Sequence, residues 1–253
     1  MIDFERVIGC RPDAFCDAFY AEKPKWVTGS LSDSDTRFLF KTALNAAASV
    51  AVEIGTASGF STAVLCHALN FASQAGLIES DFHVISCDIS PTFYADQSKR
   101  VGDATREQLP PELMLHIKLR HPAYALNLRQ HHGNDEIKFL FIDANHQHPW
   151  PALDLLAALD CLSPGAIVVL HDINLPIVNP EFPIWGAKYL FDDLEVEKDL
   201  ARDCEIPNIG RIKIPEGKEQ LRTQLLEIIH AHEWEIDIRE DYLARMGIAK
   251  GSR

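Results

Sequence analysis

The 253-residue chain is 47% hydrophobic and 24% charged, enough apolar material to bury one sizeable core and in keeping with a single enzyme-sized unit over residues 1–253. Its net charge of -13 repels polyanions, which sets nucleic acid aside as a partner. No basic-then-apolar leader opens the sequence and no apolar run approaches the roughly 18 residues of a membrane span, so a soluble, cytoplasmic protein without membrane contact is expected.

Residues 1 to about 45 read as a helical lead-in, with Ser32, Asp33 and Ser34 as N-cap residues for a helix over 37–48. Residues 49–54 are a short β-branched run ending at Gly55, the pattern of a buried parallel strand before a turn. Val64, Leu65, Ala68 and Leu69 then recur at helical spacing. Further strands are expected over 82–87, stopping at Asp88, over 116–119, and over 137–142, stopping at Asp143. A helix over 152–161, closed by Ser163-Pro164-Gly165, leads to a strand over 166–170 that stops at His171-Asp172. Residues 174–185 carry Pro176, Pro180 and Pro183 and read as an irregular loop, a candidate lid. A helix over 187–194, a strand over 209–214 and a helix over 218–232 then complete the sheet. Such alternation predicts an α/β fold, a Rossmann-like three-layer α/β/α sandwich with a mainly parallel sheet and a ligand-binding core over 46–175. The six cysteines form no C-x-x-C pair and read as reduced structural thiols.

Open α/β sheets bind ligands beyond the carboxyl ends of their strands, so Glu53, Asp88, Asp143 and Asp172 are expected around one crevice. The turn Glu53-Ile-Gly55-Thr56-Ala-Ser-Gly59-Phe-Ser61 has G-x-x-x-G spacing and lacks the middle glycine that admits a pyrophosphate. It suits a small phosphate-free ligand whose amino-acid end lies on the turn while its ribose diol meets Asp88, because a carboxylate accepts both hydroxyls. Taken alone, the glycine turn reads equally well as an ordinary turn of some other α/β protein, with Asp88 a helix cap. Glu53 and Asp88 in combination with it favour the ligand.

The segment E-I-G-T-A-S-G-F-S resembles the E-x-G-x-x-x-G-x-S turn of class I S-adenosylmethionine-dependent O-methyltransferases, in their metal-dependent catechol-type and macrolide-sugar-type branches. The resemblance covers residues 45 to about 175. It implies S-adenosylmethionine as cofactor, gripped by Glu53, Gly55, Thr56, Gly59 and Ser61 at its methionine end and by Asp88 at its ribose. Arg120-His121-Pro122-Ala123 departs from the small or acidic adenine-contacting residues of the family.

Methyl transfer to a hydroxyl oxygen is an in-line displacement, and a neutral alcohol needs its proton removed or its pKa lowered. Asp143 and His146 stand three apart after the strand over 137–142, and His146 is the candidate base. Asp143 and Asp172 are hard oxygen ligands suited to Mg²⁺. The catechol branch follows its last strand with Asp-Asn and carries a lysine three after its first metal acid; here Ile173 and His146 stand in those places. The Asp-x-x-His loop is similar to the sugar-modifying branch, in which the histidine is the base and a second acidic pair binds metal. His171-Asp172 occupies that pair's place, so His171 is a third candidate metal ligand, a supporting group, or a strand-end residue. His148 and His131-His132 read as structural, and Trp150, Trp185 and Phe182 as pocket walls or plain packing.

The expected activity is metal-assisted O-methylation of a small-molecule hydroxyl, of sugar or natural-product type. Two other readings stay open on the same residues: metal-independent N- or O-methylation, and a non-catalytic binding protein that keeps the fold. A homodimer is an open option for assembly.

Overall fold

The computed structural model describes residues 4–248. Helices α1 (Phe4–Ile8), α2 (Pro12–Ala21) and α3 (Asp33–Ala46) lead into β1 (Val50–Ile54), α4 (Phe60–Gln74) and β2 (His83–Cys87). A small hairpin, β3 (Thr92–Phe93) and β4 (Asp96–Arg100), precedes α5 (Asp103–Gln108), α6 (Pro111–Met114), β5 (Ile117–Arg120) and a 3₁₀ turn over Ala125–Gln130. Then come β6 (Ile137–Ile142), α7 (Trp150–Ala158), β7 (Leu162–His171), α8 (Leu175–Val178) and α9 (Gly186–Asp193). The last elements are β8 (Lys198–Leu200), β9 (Ile209–Lys213), α10 (Lys218–Ala231) and α11 (Glu240–Arg245).

The main sheet has seven strands in the order β5-β2-β1-β6-β7-β9-β8. The first five run parallel; β9 is antiparallel to β7, and β8 to β9. Strand order reverses between β1 and β6, which opens a crevice at their carboxyl ends. Successive side chains of a strand face opposite sides, and the two cores follow that period. Val52, Ile54, Leu140, Ile142, Val168 and Leu170 pack towards α7 and α10. Ala51, Phe139, Phe141 and Val169 pack towards α3 and α4. The Rossmann-like, mainly parallel sandwich expected from the sequence is thus the fold.

Helix α3 begins where the capping residues sit: Ser32 Oγ accepts from Asp35 N, and the Asp35 carboxylate accepts in return from Ser32 N, a capping box. The expected helix over 152–161 instead spans Trp150–Ala158, and Ser163-Pro164-Gly165 lie within β7 rather than in a closing turn. There Leu162 still pairs with Ile137, the register shifts between Ile137 and Phe139, and Gly165 N donates to Ile214 O, so the glycine and proline make an irregularity inside a strand. Residues 174–185 contain the short helix α8 in an otherwise irregular path. Among the described residues no helix is long and apolar enough to cross a membrane, and all six cysteines are unpaired.

Candidate active site

The turn after β1 is wedged against the end of β6. Gly55 has φ +99°, and a Cβ there would lie 2.0 Å from the Asp143 carbonyl oxygen, so only glycine lets the two strand ends approach. Asp143 N donates to Ile54 O at 2.9 Å and Gly55 N to Cys87 O at 2.8 Å, which locks β1, β2 and β6 together at the crevice. Gly59, with φ +86°, starts α4 where a Cβ would meet Thr105 Oγ1 at 2.2 Å.

Beneath this turn Glu53 is 0% exposed. Its carboxylate accepts from Ser61 Oγ, Thr62 Oγ1 and Ser86 Oγ, each at 2.5 Å, while the Thr56 and Ser86 hydroxyls pair at 2.5 Å. Burial pushes the Glu53 carboxyl up to about 7 despite the three hydroxyls, which pull it down. Glu53, Thr56 and Ser61 therefore turn their polar atoms into the floor of the turn.

Asp88 stands at the end of β2 with one oxygen accepting from Ala57 N and the other from Ser90 N, both at 2.9 Å. Its backbone holds the segment after β5, with Asp88 N donating to Arg120 O and Ala123 N to Asp88 O. The Arg120–Ala123 stretch is thereby fixed beside the same carboxylate.

The ends of β6 and β7 bring a second group together. Ligand atoms of Asp143, His146 and Asp172 all lie within 4.8 Å of one another. His146 Nε2 is 3.1 Å from Asp172 Oδ2 and 3.7 Å from Asp143 Oδ1. Asp172 adopts φ +57°, and its Oδ1 accepts from Asn208 Nδ2 at 2.5 Å, so the segment before β9 holds it. His171 is not part of this convergent trio. Only 5% exposed, it sits behind Asp143 with Nδ1 3.0 Å from Asp143 Oδ1 and Nε2 3.5 Å from Asp35 Oδ2. Burial disfavours an imidazolium, but the charges of Asp143 and Asp172 and the contacts with Asp143 and Asp35 outweigh it and lift His171 well above the ordinary histidine value. Burial likewise disfavours the Asp143 carboxylate, yet the charge and hydrogen bond of His171, joined by His146, hold its pKa below the usual range. Carboxylates thus engage both nitrogens of His171, which braces Asp143 from behind.

Asp35 was legible only as a helix cap, since an acid three residues after Ser32 completes a capping box; nothing local said that it also faces His171. Tyr94, exposed on the hairpin, was missed altogether; its hydroxyl donates to Gly29 O at 3.4 Å. Trp150 packs on Tyr242, Trp185 stacks on Tyr189, and Phe182 is exposed. His148 is buried, in line with its structural reading.

Residues 52–173 match the family described as a methyltransferase domain. No curated protein sequence matches the chain. Among solved structures it is similar to cofactor-bound Rv0187 from MTB, with a TM-score of 0.55 and 17% identity over 84% of this chain and 93% of that one. It is similar also to the O-methyltransferase from Bacillus cereus in complex with SAH, with a TM-score of 0.53 and 16% identity over 83% and 90%. The O-methyltransferase TomG from Streptomyces achromogenes, involved in Tomaymycin synthesis and in complex with SAM, gives a TM-score of 0.51 and 17% identity over 86% and 100%. At such identities the structural likeness is one of fold; the methyltransferase-domain match over residues 52–173 spans the glycine turn and both acidic strand ends.

Proposed function

We propose that the chain is a class I S-adenosylmethionine-dependent methyltransferase that methylates a hydroxyl oxygen of a small molecule, of sugar or natural-product type, with a divalent cation at the acceptor end. The observation that carries this reading is the convergence of Asp143, His146 and Asp172 within 4.8 Å, tied to the Gly55 turn through the Asp143 backbone. Two structural neighbours that are O-methyltransferases, one of them involved in Tomaymycin synthesis, agree with an oxygen acceptor of this kind.

At the cofactor end, the backbone of Gly55–Gly59 receives the methionine part, with Glu53, Thr56 and Ser61 bracing the turn from below. Asp88 spends two of about four acceptor positions on Ala57 N and Ser90 N, which leaves two for a ribose diol. At the acceptor end, two carboxylates and an imidazole form a donor set that fits a divalent cation, and Asp143 and Asp172 would hold it. When bound, such a cation lowers the pKa of the acceptor hydroxyl and orients it. His146 takes the hydroxyl proton as the oxygen–methyl bond forms and the sulfur–methyl bond breaks, leaving S-adenosylhomocysteine. His171, between Asp35 and Asp143, keeps the Asp143 carboxylate ionised and aimed. The unpaired cysteines agree with a cytoplasmic setting.

A specific contact favours a second reading. The 3.1 Å approach of His146 Nε2 to Asp172 is also what a metal-free pair needs, with Asp172 orienting the imidazole and Nδ1 taking the proton. The test is release of S-adenosylhomocysteine with p-nitrophenyl glycosides and with catechol as acceptors, before and after EDTA treatment and on adding back Mg²⁺ or Mn²⁺. Glycoside turnover lost with EDTA and restored by the ion supports the proposal; turnover indifferent to EDTA supports the pair. H146A should lower turnover to a small measurable residue while calorimetry finds Mn²⁺ affinity intact, whereas a matching loss of Mn²⁺ affinity makes His146 a ligand instead of the base.

A further inference from the structure

The segment that carries His146 is anchored by an acid from the far end of the chain. Glu235, partly buried in the connection between α10 and α11, accepts from His148 N at 2.6 Å through Oε2 and from Trp185 N at 2.9 Å through Oε1. Its backbone adds two more bonds, Glu235 N donating to His148 O at 2.9 Å and Gln147 Nε2 donating to Glu235 O at 3.3 Å. One carboxylate thus bridges the β6–α7 loop and the residue that starts α9. The bridged segments are in close contact: a Cβ on Gly186 would lie 2.5 Å from both His146 O and His148 N. Beyond this junction the buried His148 ring packs edge-on against Tyr189 at 5.5 Å and His232 at 5.6 Å, and burial pushes its pKa down to about 4, so it wedges the loop as a neutral ring. Anchoring of the Gln147–His148 stretch to the far end of the chain falls on Glu235.

We propose that Glu235 is a positioning residue for catalysis, holding the His146–His148 backbone against α9 so that His146 Nε2 stays over Asp143 and Asp172. This rests on the reading that His146 works on the acceptor. Hydrogen bonds to a charged carboxylate are about twice as strong as neutral ones, and a displacement of about 1 Å in a reacting group costs on the order of a hundredfold in rate. E235A removes both carboxylate bonds, whereas E235Q keeps one carbonyl acceptor and sets its amide against the other N–H.

The test needs no acceptor at first. The ring Cε1–Hε1 NMR signal of His146, assigned by its loss in H146A, should move or broaden in E235A and move less, in the same direction, in E235Q. With the best p-nitrophenyl glycoside, kcat should fall tenfold to a hundredfold in E235A and less in E235Q, while the Kd for S-adenosylmethionine stays within twofold. The double variant H146A/E235A should be no slower than H146A, because Glu235 acts through His146. An unmoved His146 signal with kcat within twofold of wild type overturns the proposal, as does an E235A factor that multiplies in full onto H146A. If E235A does not fold, E235Q carries the same two readouts. A fully active H146A removes the role of His146 and this inference with it; a slow H146A beside a fully active E235A removes only the inference.

Discussion

Glu53 is the most sharply testable group, because burial and three hydroxyl donors push its pKa in opposite directions and burial is the larger effect. A carboxyl that ionises at its ordinary 4.5 in the unfolded chain but holds its proton to about 7 when folded makes the native state the better proton binder between those values. Stability therefore falls as pH rises through that window and is level on either side of it. The difference of roughly 2.5 units corresponds to about 3 kcal/mol. E53Q, uncharged at every pH, removes this slope. Its amide must find new partners among Ser61, Thr62 and Ser86, whose hydroxyls can rotate to accept as well as donate, and that cost does not vary with pH. Urea unfolding followed by circular dichroism at pH 5, 6, 7 and 8 gives the stability of each protein. Wild type minus E53Q should drop by about 2.5 kcal/mol from pH 5 to pH 8, since the lowest part of the window lies below pH 5. A difference curve that is flat, or that rises with pH, would falsify the reasoning, since it would mean that the three hydroxyls prevail over burial and that the turn rests on a fixed negative charge.

Two further outcomes follow from the same floor and its rim. G55A places a methyl 2.0 Å from Asp143 O and 2.8 Å from Ala144 Cα at a φ of +99°, so it should cost about 3 kcal/mol or more in urea unfolding; a loss under about 0.5 kcal/mol would show that β1 and β6 can part cheaply. D88N keeps one of the two oxygens that hold Ala57 N and Ser90 N but gives up the charge offered to a ribose diol, so calorimetry should find S-adenosylmethionine bound about tenfold or more weakly, and an unchanged Kd would move the ribose elsewhere.

Strands β1, β2, β6 and β7 were legible because each is a largely apolar run followed by glycine or an acid, and the turn after β1 carried its own constraint in Gly55. The elements that escaped have no such local signature. Strand β4 reads Asp-Gln-Ser-Lys-Arg, half-exposed and without apolar alternation, and exists only through pairing of Thr92 with Arg100 and Phe93 with Asp96. Strand β8 is three residues long and is defined by its partner β9. Helix α2 was readable in principle, since Pro12 begins it and Phe15 and Phe19 stand four apart and stack, but the aromatic and charged mixture around it hid the period.

The site divides in the same way. Asp143, His146 and Asp172 could be brought together on paper because strand ends in a parallel sheet have known neighbours. Asp35 and Glu235 could not, because each arrives from an element whose docking is settled by packing far along the chain. Glu53 is the instructive middle case. Period two places it on the same face as Ala51 and opposite Val52 and Ile54, so the sequence held half of its position. The missing half was which helices cover that face. Once α4 lies there, Ser61 and Thr62 come from its first turn and Ser86 from the neighbouring strand, in register with Glu53. The motif's acid is thereby committed to three hydroxyls before any ligand arrives, which on the proposed reading makes it a brace for the surface that S-adenosylmethionine meets and leaves direct contact to the backbone above it.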